Sequence, residues 1–369
     1  MRINQLDGLR ASAVFLVLLF HHGMVRSGWV GVDIFFVLSG FLITGALRRE
    51  VNAPDYWKSF YVKRATRILP PLVALVIPVF LMAGHFKLIY LGYLFFASNL
   101  VQLTPAALPA LGALWSLAIE EHFYFLWPLA VKRLDRESLL RVSLAIVLVS
   151  PFVRILGTAL FHHYWGVNHN WDNPIFLLTP FRIDGLAAGA ALALLLEDGR
   201  CPAVLLRWSG TASFLIAALF LGLEFFVKSF RRTADTELFN GFGYSLVVFA
   251  AFFLLSYLVL VPNSMLTKLL SSRILVFVGT ISYGFYLFQE LVKDVLQSFL
   301  GPSASHIFLF LPDLAITATL ATISFYFFEK PIMRLGKAWL LRSHASVSRC
   351  ENQKVAQVGF SPRKAPSLL

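Results

Sequence analysis

The sequence predicts an all-α fold, a polytopic membrane bundle of about ten transmembrane helices, and three observations support it. Of the 369 residues, 58% are hydrophobic and 14% are charged, whereas soluble domains carry about 25% charged residues. Apolar runs of about twenty residues, the length that crosses a bilayer as a helix, recur along the chain. Lys and Arg are concentrated in alternate connections between these runs, which is the pattern of cytoplasmic loops.

The apolar runs define ten spans, each bounded by the polar residues that end its run. The spans lie near residues 9–25, 31–48, 68–84, 113–131, 139–160, 176–196, 208–227, 242–261, 274–297 and 306–328. If both termini are cytoplasmic, the basic connections 48–67 and 132–141 fall on the cytoplasmic side. The exception is the connection 228–241, which this scheme places outside although it carries three basic residues.

Three segments need separate treatment. The first apolar run is expected to be a retained span, because no small-x-small cleavage site follows it. Residues 88–103 are apolar enough to cross, but an extra span there would put the connection 132–141 outside. We therefore expect a re-entrant segment or one in the outer interface. Residues 336–369 are basic and Ser-rich, and we expect a disordered cytoplasmic tail after one membrane domain at residues 1–335.

The first span carries two ionisable residues, Arg10 near its start and His21 near its end. Eleven residues of helix advance about 16 Å and three turns plus about 20°, so both side chains lie on one face. Ionisable residues inside a membrane helix are costly and are candidates for a functional site by default. His22 is turned about 100° from His21, and for it we expect an interfacial position.

Four predicted helices place ionisable groups in the outer half of the membrane. These groups are His21, Asp33, Glu120 and Arg182, with Asp184 two residues further on. Such groups usually face the bundle interior and pair with one another, so a packing ion pair is the alternative to a catalytic role. Because an imidazole titrates near neutral pH, His21 is the candidate general base. Asp33 or Glu120 would orient its ring.

Arg64 and Arg67 lie one helical turn apart before the third span, on the cytoplasmic side. Two guanidinium groups at this spacing suit bidentate capture of a ligand with several phosphates. Anchoring of the span by positive charge is the alternative. No P-loop or dinucleotide-binding glycine motif is present. The histidine pairs 21–22 and 162–163 are adjacent residues with diverging side chains, so no metal site is predicted. The net charge of +12 follows from membrane topology, and no nucleic-acid partner is predicted.

Seven motifs follow one another along the spans. They are Leu6-Asp7-Gly8-Leu9-Arg10 with His21, Gly31-Val32-Asp33-Ile34-Phe35-Phe36-Val37-Leu38-Ser39-Gly40-Phe41-Leu42, Arg64-x-x-Arg67-Ile68-Leu69-Pro70, Trp115-Ser116-Leu117-Ala118-Ile119-Glu120, Arg182-Ile183-Asp184-Gly185, Ile281-Ser282-Tyr283-Gly284-Phe285-Tyr286-Leu287 and Glu329-Lys330-Pro331. In this order they resemble the bacterial membrane acyltransferase family 3, which includes O-antigen, exopolysaccharide and Nod-factor O-acetyltransferases. The resemblance runs from residue 6 to about residue 335. Gln289 departs from it, because the family usually has a histidine there.

The resemblance implies an acyl-CoA donor, above all acetyl-CoA, whose acyl group passes to a hydroxyl of a cell-surface or exported carbohydrate. It implies catalytic use of Arg10 and His21 and a donor-binding role for Arg64 and Arg67. In our hypothesis Arg10 joins Arg64 and Arg67 in binding the donor phosphates. The expected substrate-binding residues are Arg182, Asp184, Ser282 and Tyr286. The expected setting is a bacterial inner membrane, with both termini cytoplasmic, a carbohydrate or glycolipid acceptor and membrane lipid as partners, and no metal. Some members append an extracytoplasmic hydrolase-like domain; none is recognised here, so acyl transfer is expected within the membrane domain.

Two other classes of protein compete with an acyltransferase. A transporter or flippase of a glycan or a small anionic substrate would also carry ionisable groups within its spans. The chain shows no two hydropathically matched halves, which weighs against this class. A scaffold that binds lipid head groups without chemistry is the third class. Transfer from acyl-CoA distinguishes the first class from both others. The acceptor, the oligomeric state and the choice between direct transfer and an acyl-histidine intermediate stay open.

Overall fold

The structure, a computed structural model, describes residues 3–84, 86–166, 173–199, 202–301 and 306–342. Over these residues the secondary structure is helical and contains no strand, which confirms the predicted all-α class. The long helices are α1 (Asn4–His21), α2 (Val30–Glu50), α3 (Tyr56–Met82), α4 (Leu114–Arg133), α5 (Arg136–Trp165), α6 (Asp184–Leu195), α7 (Ala203–Phe226), α8 (Tyr244–Leu260), α9 (Arg273–Leu300) and α10 (His306–Ser324). Helix α10 continues through a π-helical turn at Phe325–Glu329 as far as Arg342, the last residue that the structure describes.

Seven of these helices are long and apolar enough to cross a membrane, which confirms a polytopic helical bundle. They are α2, α3, α5, α7, α8 with the π-helical turn before it, α9 and α10. The other three, α1, α4 and α6, are shorter or more polar, and each overlaps one of the ten predicted spans. Helix α6 lies in the centre of the bundle, because residues 184–192 are all buried.

Close backbone contacts hold the central helices together. A Cβ atom on Gly40 of α2 would lie 1.9 Å from the carbonyl oxygen of Leu186 in α6, and one on Gly189 would lie 1.9 Å from that of Val37. Only glycine allows such an approach, and small residues at helix interfaces are the usual means of packing within a membrane. The central pair of helices is therefore fixed in register.

Helix α3 begins at Tyr56, well before the third predicted span, and only residues 51–55 connect it to α2. The predicted basic connection 48–67 is therefore mostly helical. Its Lys and Arg side chains lower the hydropathy of this part of α3, so the sequence pattern starts the span too late. Arg64 and Arg67 consequently lie on a continuous helix, from which they reach the interior of the bundle.

The apolar segment 88–103 does not form a helix that could cross a bilayer. It folds as short turns at Leu88–Tyr90, Leu91–Leu94 and Ser98–Val101, none longer than four residues. A positive φ of 57° at Phe96 separates the last two. This agrees with the expectation that the segment is re-entrant or interfacial.

The sixth predicted span also differs from the structure. This span, 176–196, is broken into Pro174–Leu177, Thr179–Arg182 and α6, because Leu178 is extended before the proline-containing turn that follows. The last helix continues past residue 335, the predicted end of the membrane domain, as far as Arg342. The rest of the predicted tail, residues 343–369, lies outside the described residues.

Candidate active site

A first cavity lies between α1, α2, α3, α4 and α9, and three arginines line it. Its empty volume, part of it open to solvent, is about 890 Å³, within the size range of cofactor sites. Besides Arg10, Arg64 and Arg67, its polar lining consists of Ser39, Ser116, Glu120, Tyr124, Ser282, Tyr283 and Tyr286. The cavity thus collects all three predicted donor-binding residues, together with two of the predicted substrate-binding residues.

The arginines of the first cavity differ in what already holds them. Arg10 donates to the carboxylate of Asp7 at 2.8 Å, one turn earlier on α1. The guanidinium of Arg64 lies 5.2 Å from the ring centre of Tyr124, a cation–π contact. Within the described part of the chain, neither Arg64 nor Arg67 forms an ion pair. The cavity therefore presents two guanidinium groups whose charge a bound anion could balance.

A second cavity lies at the other end of α1 and contains His21. Its empty volume is about 830 Å³. Its polar lining consists of His21, Gln102, Asn173, Arg232, Tyr286 and Glu290, among the aromatic rings of Phe20, Trp29, Trp115 and Phe176. Arg10, Val17 and His21 follow one stripe of α1 at spacings of seven and four residues. One helix face therefore presents Arg10 to the first cavity and His21 to the second.

Glu290 of α9 orients His21. Its carboxylate lies 2.8 Å from His21 Nε2 and also accepts from Lys293 Nζ at 2.9 Å. The other ring nitrogen, Nδ1, is buried and has no hydrogen-bond partner among the described residues. A carboxylate on one nitrogen fixes the ring and stabilises its cationic form, which leaves the second nitrogen available as a base.

The two cavities meet at a wall formed by Val32 and Tyr286, which line both. The Tyr286 hydroxyl lies 2.7 Å from Ser116 Oγ and 3.2 Å from the carbonyl oxygen of Ala113. These contacts fix the ring of α9 against the start of α4. A group that passes from one cavity to the other must pass this tyrosine.

Asp33 does not orient His21, contrary to the sequence-based hypothesis. Its carboxylate accepts from Arg182 at 2.8 Å, and both side chains are almost completely buried. Asp184 is likewise engaged, at 2.7 Å from the buried guanidinium of Arg154. None of these four residues lines the two cavities. The pairs join the central helices, so they are best explained as packing ion pairs, which was the alternative for Asp184.

Glu120 does line a cavity, but the first one, together with the arginines. The hypothesis that it orients His21 is therefore also replaced by the contact to Glu290. His22 is not interfacial, because it is buried and bonded to Asp313 of α10 at 2.7 Å. Two partners were missed in the sequence, Glu290 and Arg154. Each is an ionisable residue within an apolar run, which is the signal that could have identified it.

The described residues contain no group of three or more His, Cys, Asp or Glu side chains that could hold a metal ion. The first cavity carries three arginines, hydroxyl groups and the single carboxylate of Glu120, and the second carries Arg232, the His21–Glu290 pair, the Tyr286 hydroxyl and two amide side chains. The chemistry available from the chain itself is therefore anion binding in the first cavity and proton transfer in the second.

Fold and cavities together define a polytopic helical membrane protein with an arginine-lined cavity of cofactor size. The acyltransferase domain family matches residues 3–329, so the chain belongs to this family, membrane acyltransferase family 3. It is 26% identical over 359 residues to the O-acetyltransferase OatA of Staphylococcus aureus strain NCTC 8325 / PS 47, and equally to OatA of strain COL. These alignments cover 90% of this chain and 57% of each relative. The chain therefore spans little more than half the length of these curated relatives. No solved structure matches it significantly.

Proposed function

We propose that this acyltransferase moves an acetyl group from cytoplasmic acetyl-CoA to a hydroxyl of a cell-surface or exported carbohydrate. It would do so as a multi-pass protein of a bacterial inner membrane with cytoplasmic termini. The observation that carries the proposal is the pair of cavities, one with arginines and one with a His–Glu pair, on either side of Tyr286. The name of the relatives, O-acetyltransferase, supports oxygen as the acceptor atom and acetyl as the acyl group.

The first cavity suits the donor because CoA carries several phosphates and a long, uncharged arm. Arg64 and Arg67 would bind phosphates through bidentate hydrogen bonds, and Arg10 would add charge deeper in the bundle. Arg10 and His21 are eleven residues apart on one straight helix, or about 16 Å, which an extended pantetheine arm can span. The thioester would then lie near the wall at Tyr286, with its carbonyl towards the second cavity.

The second cavity suits the acceptor. His21 Nδ1 would take the proton of the acceptor hydroxyl, while Glu290 stabilises the imidazolium that forms. The acceptor oxygen then bonds to the thioester carbonyl carbon, the carbon–sulfur bond breaks, and the departing CoA thiolate takes the proton from His21. Donor and acceptor would thus enter from opposite sides of the membrane, and CoA would leave on the side from which it came.

The test uses sealed inside-out membrane vesicles from cells that produce the protein, whose lumen retains the cell's own outer glycans. Acetyl-CoA labelled in its acetyl group is added to the medium only. We expect labelled glycans in the lumen, where they stay inaccessible from the medium until the vesicles are opened. The His21→Ala variant should lose this label, whereas His163→Ala, a change of an exposed histidine at the end of α5, should retain it.

Two other results would contradict parts of the proposal. Label that appears only in acceptors on the side of the added CoA would overturn transfer across the membrane, while leaving an acetyltransferase. Vesicles that contain normal amounts of the protein but transfer no acetyl group to any glycan would contradict the function itself.

A further inference from the structure

Arg232 is a cation of the second cavity that has no anionic partner among the described residues. Its guanidinium lies 4.9 Å from the ring centre of Phe176 and 5.4 Å from that of Phe20, both in the lining of this cavity. Glu290, the carboxylate of the same cavity, is already bonded to His21 and Lys293. The cavity that contains the proposed base therefore carries an uncompensated positive charge.

The other basic groups near Arg232 show why it is distinct. Arg231 donates to the carbonyl oxygens of Glu224 and Phe225 at 3.3 and 3.2 Å, so it caps the end of α7. Lys228 is exposed and does not line the cavity. The connection 228–241 is the one that departs from the expected distribution of charge between the two sides of the membrane. At least one of the three basic residues of this connection, Arg232, lines a cavity, which membrane topology alone does not explain.

The segment that carries Arg232 is also held in place, so the position of its guanidinium is built into the fold. Asp235, three residues further on, lies 3.2 Å from His162 Nε2 of α5 and accepts from Asn240 at 2.7 Å. It also accepts from Asn173, itself part of the cavity lining. These contacts fasten the connection to α5 and to the segment before α6, and they set Arg232 over two rings.

We propose that Arg232 binds an anionic group of the acceptor, so that the enzyme selects carbohydrates that carry a carboxylate or a phosphate near the acylated hydroxyl. This inference rests on the proposed function, because it assigns the second cavity to the acceptor. A guanidinium partly removed from water and flanked by rings binds either anion through two parallel hydrogen bonds. The bound anion would also place the hydroxyl against His21 in a fixed orientation.

The experiment first identifies the labelled glycan of the vesicle assay by mass spectrometry and then purifies it as an acceptor for the protein in nanodiscs. Two treated forms are compared with it, one in which carboxyl groups are reduced to alcohols and one in which phosphates are removed. We expect one of these treatments to raise the KM of the acceptor about 10-fold or more, as loss of a charge-assisted hydrogen bond would. The treatment that does so identifies the anion.

The variants assign that effect to Arg232. Arg232→Gln should raise the acceptor KM by a similar factor, with an unchanged KM for acetyl-CoA, and should no longer distinguish native from treated acceptor. Arg232→Lys should lie between the two, and Lys228→Gln, the same loss of charge in the same connection, should behave as the wild type. A labelled glycan without any carboxylate or phosphate, or one used equally well after both treatments, would overturn the proposal. Absence of any labelled glycan would instead contradict the proposed function.

Discussion

The two cavities are built in different ways, although one helix face contributes to both. The first is lined by side chains of long helices. Its three arginines face the cavity because of where they lie along α1 and α3. The second is assembled from the end of α1, the segments before α4 and α6, and the connection that carries Arg232. Its histidine is oriented by a carboxylate from α9. Under the proposed function, the donor site is therefore built from long helices, whereas the acceptor site depends on the connections between helices, where binding residues are common.

The largest expected effect comes from a change in the second cavity that leaves the first cavity intact. His21→Ala removes the proposed base, and a general base contributes about 10²- to 10⁴-fold. We expect a loss of transfer in this range, with membrane abundance unchanged and acetyl-CoA binding by the first cavity retained. Transfer rates and acetyl-CoA binding in nanodiscs measure the two effects separately. Transfer at the wild-type rate would remove His21 from the mechanism.

A second variant tests which carboxylate supports His21. Glu290→Gln keeps a hydrogen-bonding group beside His21 but loses the charge that stabilises the imidazolium, so we expect kcat to fall about 10- to 100-fold with unchanged abundance. Asp33→Asn is the matched change in a packing pair. It leaves Arg182 buried without a counterion, so it should lower abundance, while the protein that does fold retains its kcat. The opposite result for the two variants would restore the original assignment of Asp33.

A smaller effect is expected from conservative substitutions in the first cavity. Arg64→Lys and Arg67→Lys keep the charge but lose the planar fork, and each should raise the KM for acetyl-CoA about 10-fold while the acceptor KM stays constant. Lys63→Arg, on the same helix but exposed and paired with Glu50 at 2.6 Å, serves as the control and should change neither constant. If both arginine variants keep the wild-type donor KM, these residues anchor the span and do not bind the donor.

The residues of the first cavity could be predicted from the sequence, whereas the partner of His21 in the second cavity could not. Arg10, Arg64 and Arg67 were found because charges inside or beside long apolar runs are conspicuous, and helix geometry alone brings Arg10 and His21 to one face. The partner of His21 was missed, because Glu290 follows it by 269 positions and only the packing of α9 against α1 brings the two together. Asp33 and Arg182 were grouped with His21 by depth. Depth does not determine which helix faces meet.

The predicted bounds of two helices are wrong because the local sequence fits more than one conformation. The start of α3 was placed too late, since the basic residues that face the first cavity look like a loop in a hydropathy profile. The break before α6 did leave a sign, because Pro180 follows Leu178 by two positions inside the predicted span. The apolar residues on both sides of this proline nevertheless favour one span, so hydropathy alone does not show the break.

The smallest expected effect concerns the wall that separates the cavities. Tyr286→Phe retains the ring and removes only the hydroxyl bonded to Ser116, and a hydrogen bond of this kind is worth about 1 kcal/mol. We therefore expect transfer to fall about 5-fold, with an unchanged donor KM. Ser116→Ala removes the other partner of the same bond and should have a similar effect. If this bond positions the wall, the double variant should be no worse than either single variant, because the two changes remove one interaction. Multiplied losses, about 25-fold in the double variant, would mean that the two hydroxyls act separately, for instance each on the thioester, and that the wall depends on the ring alone.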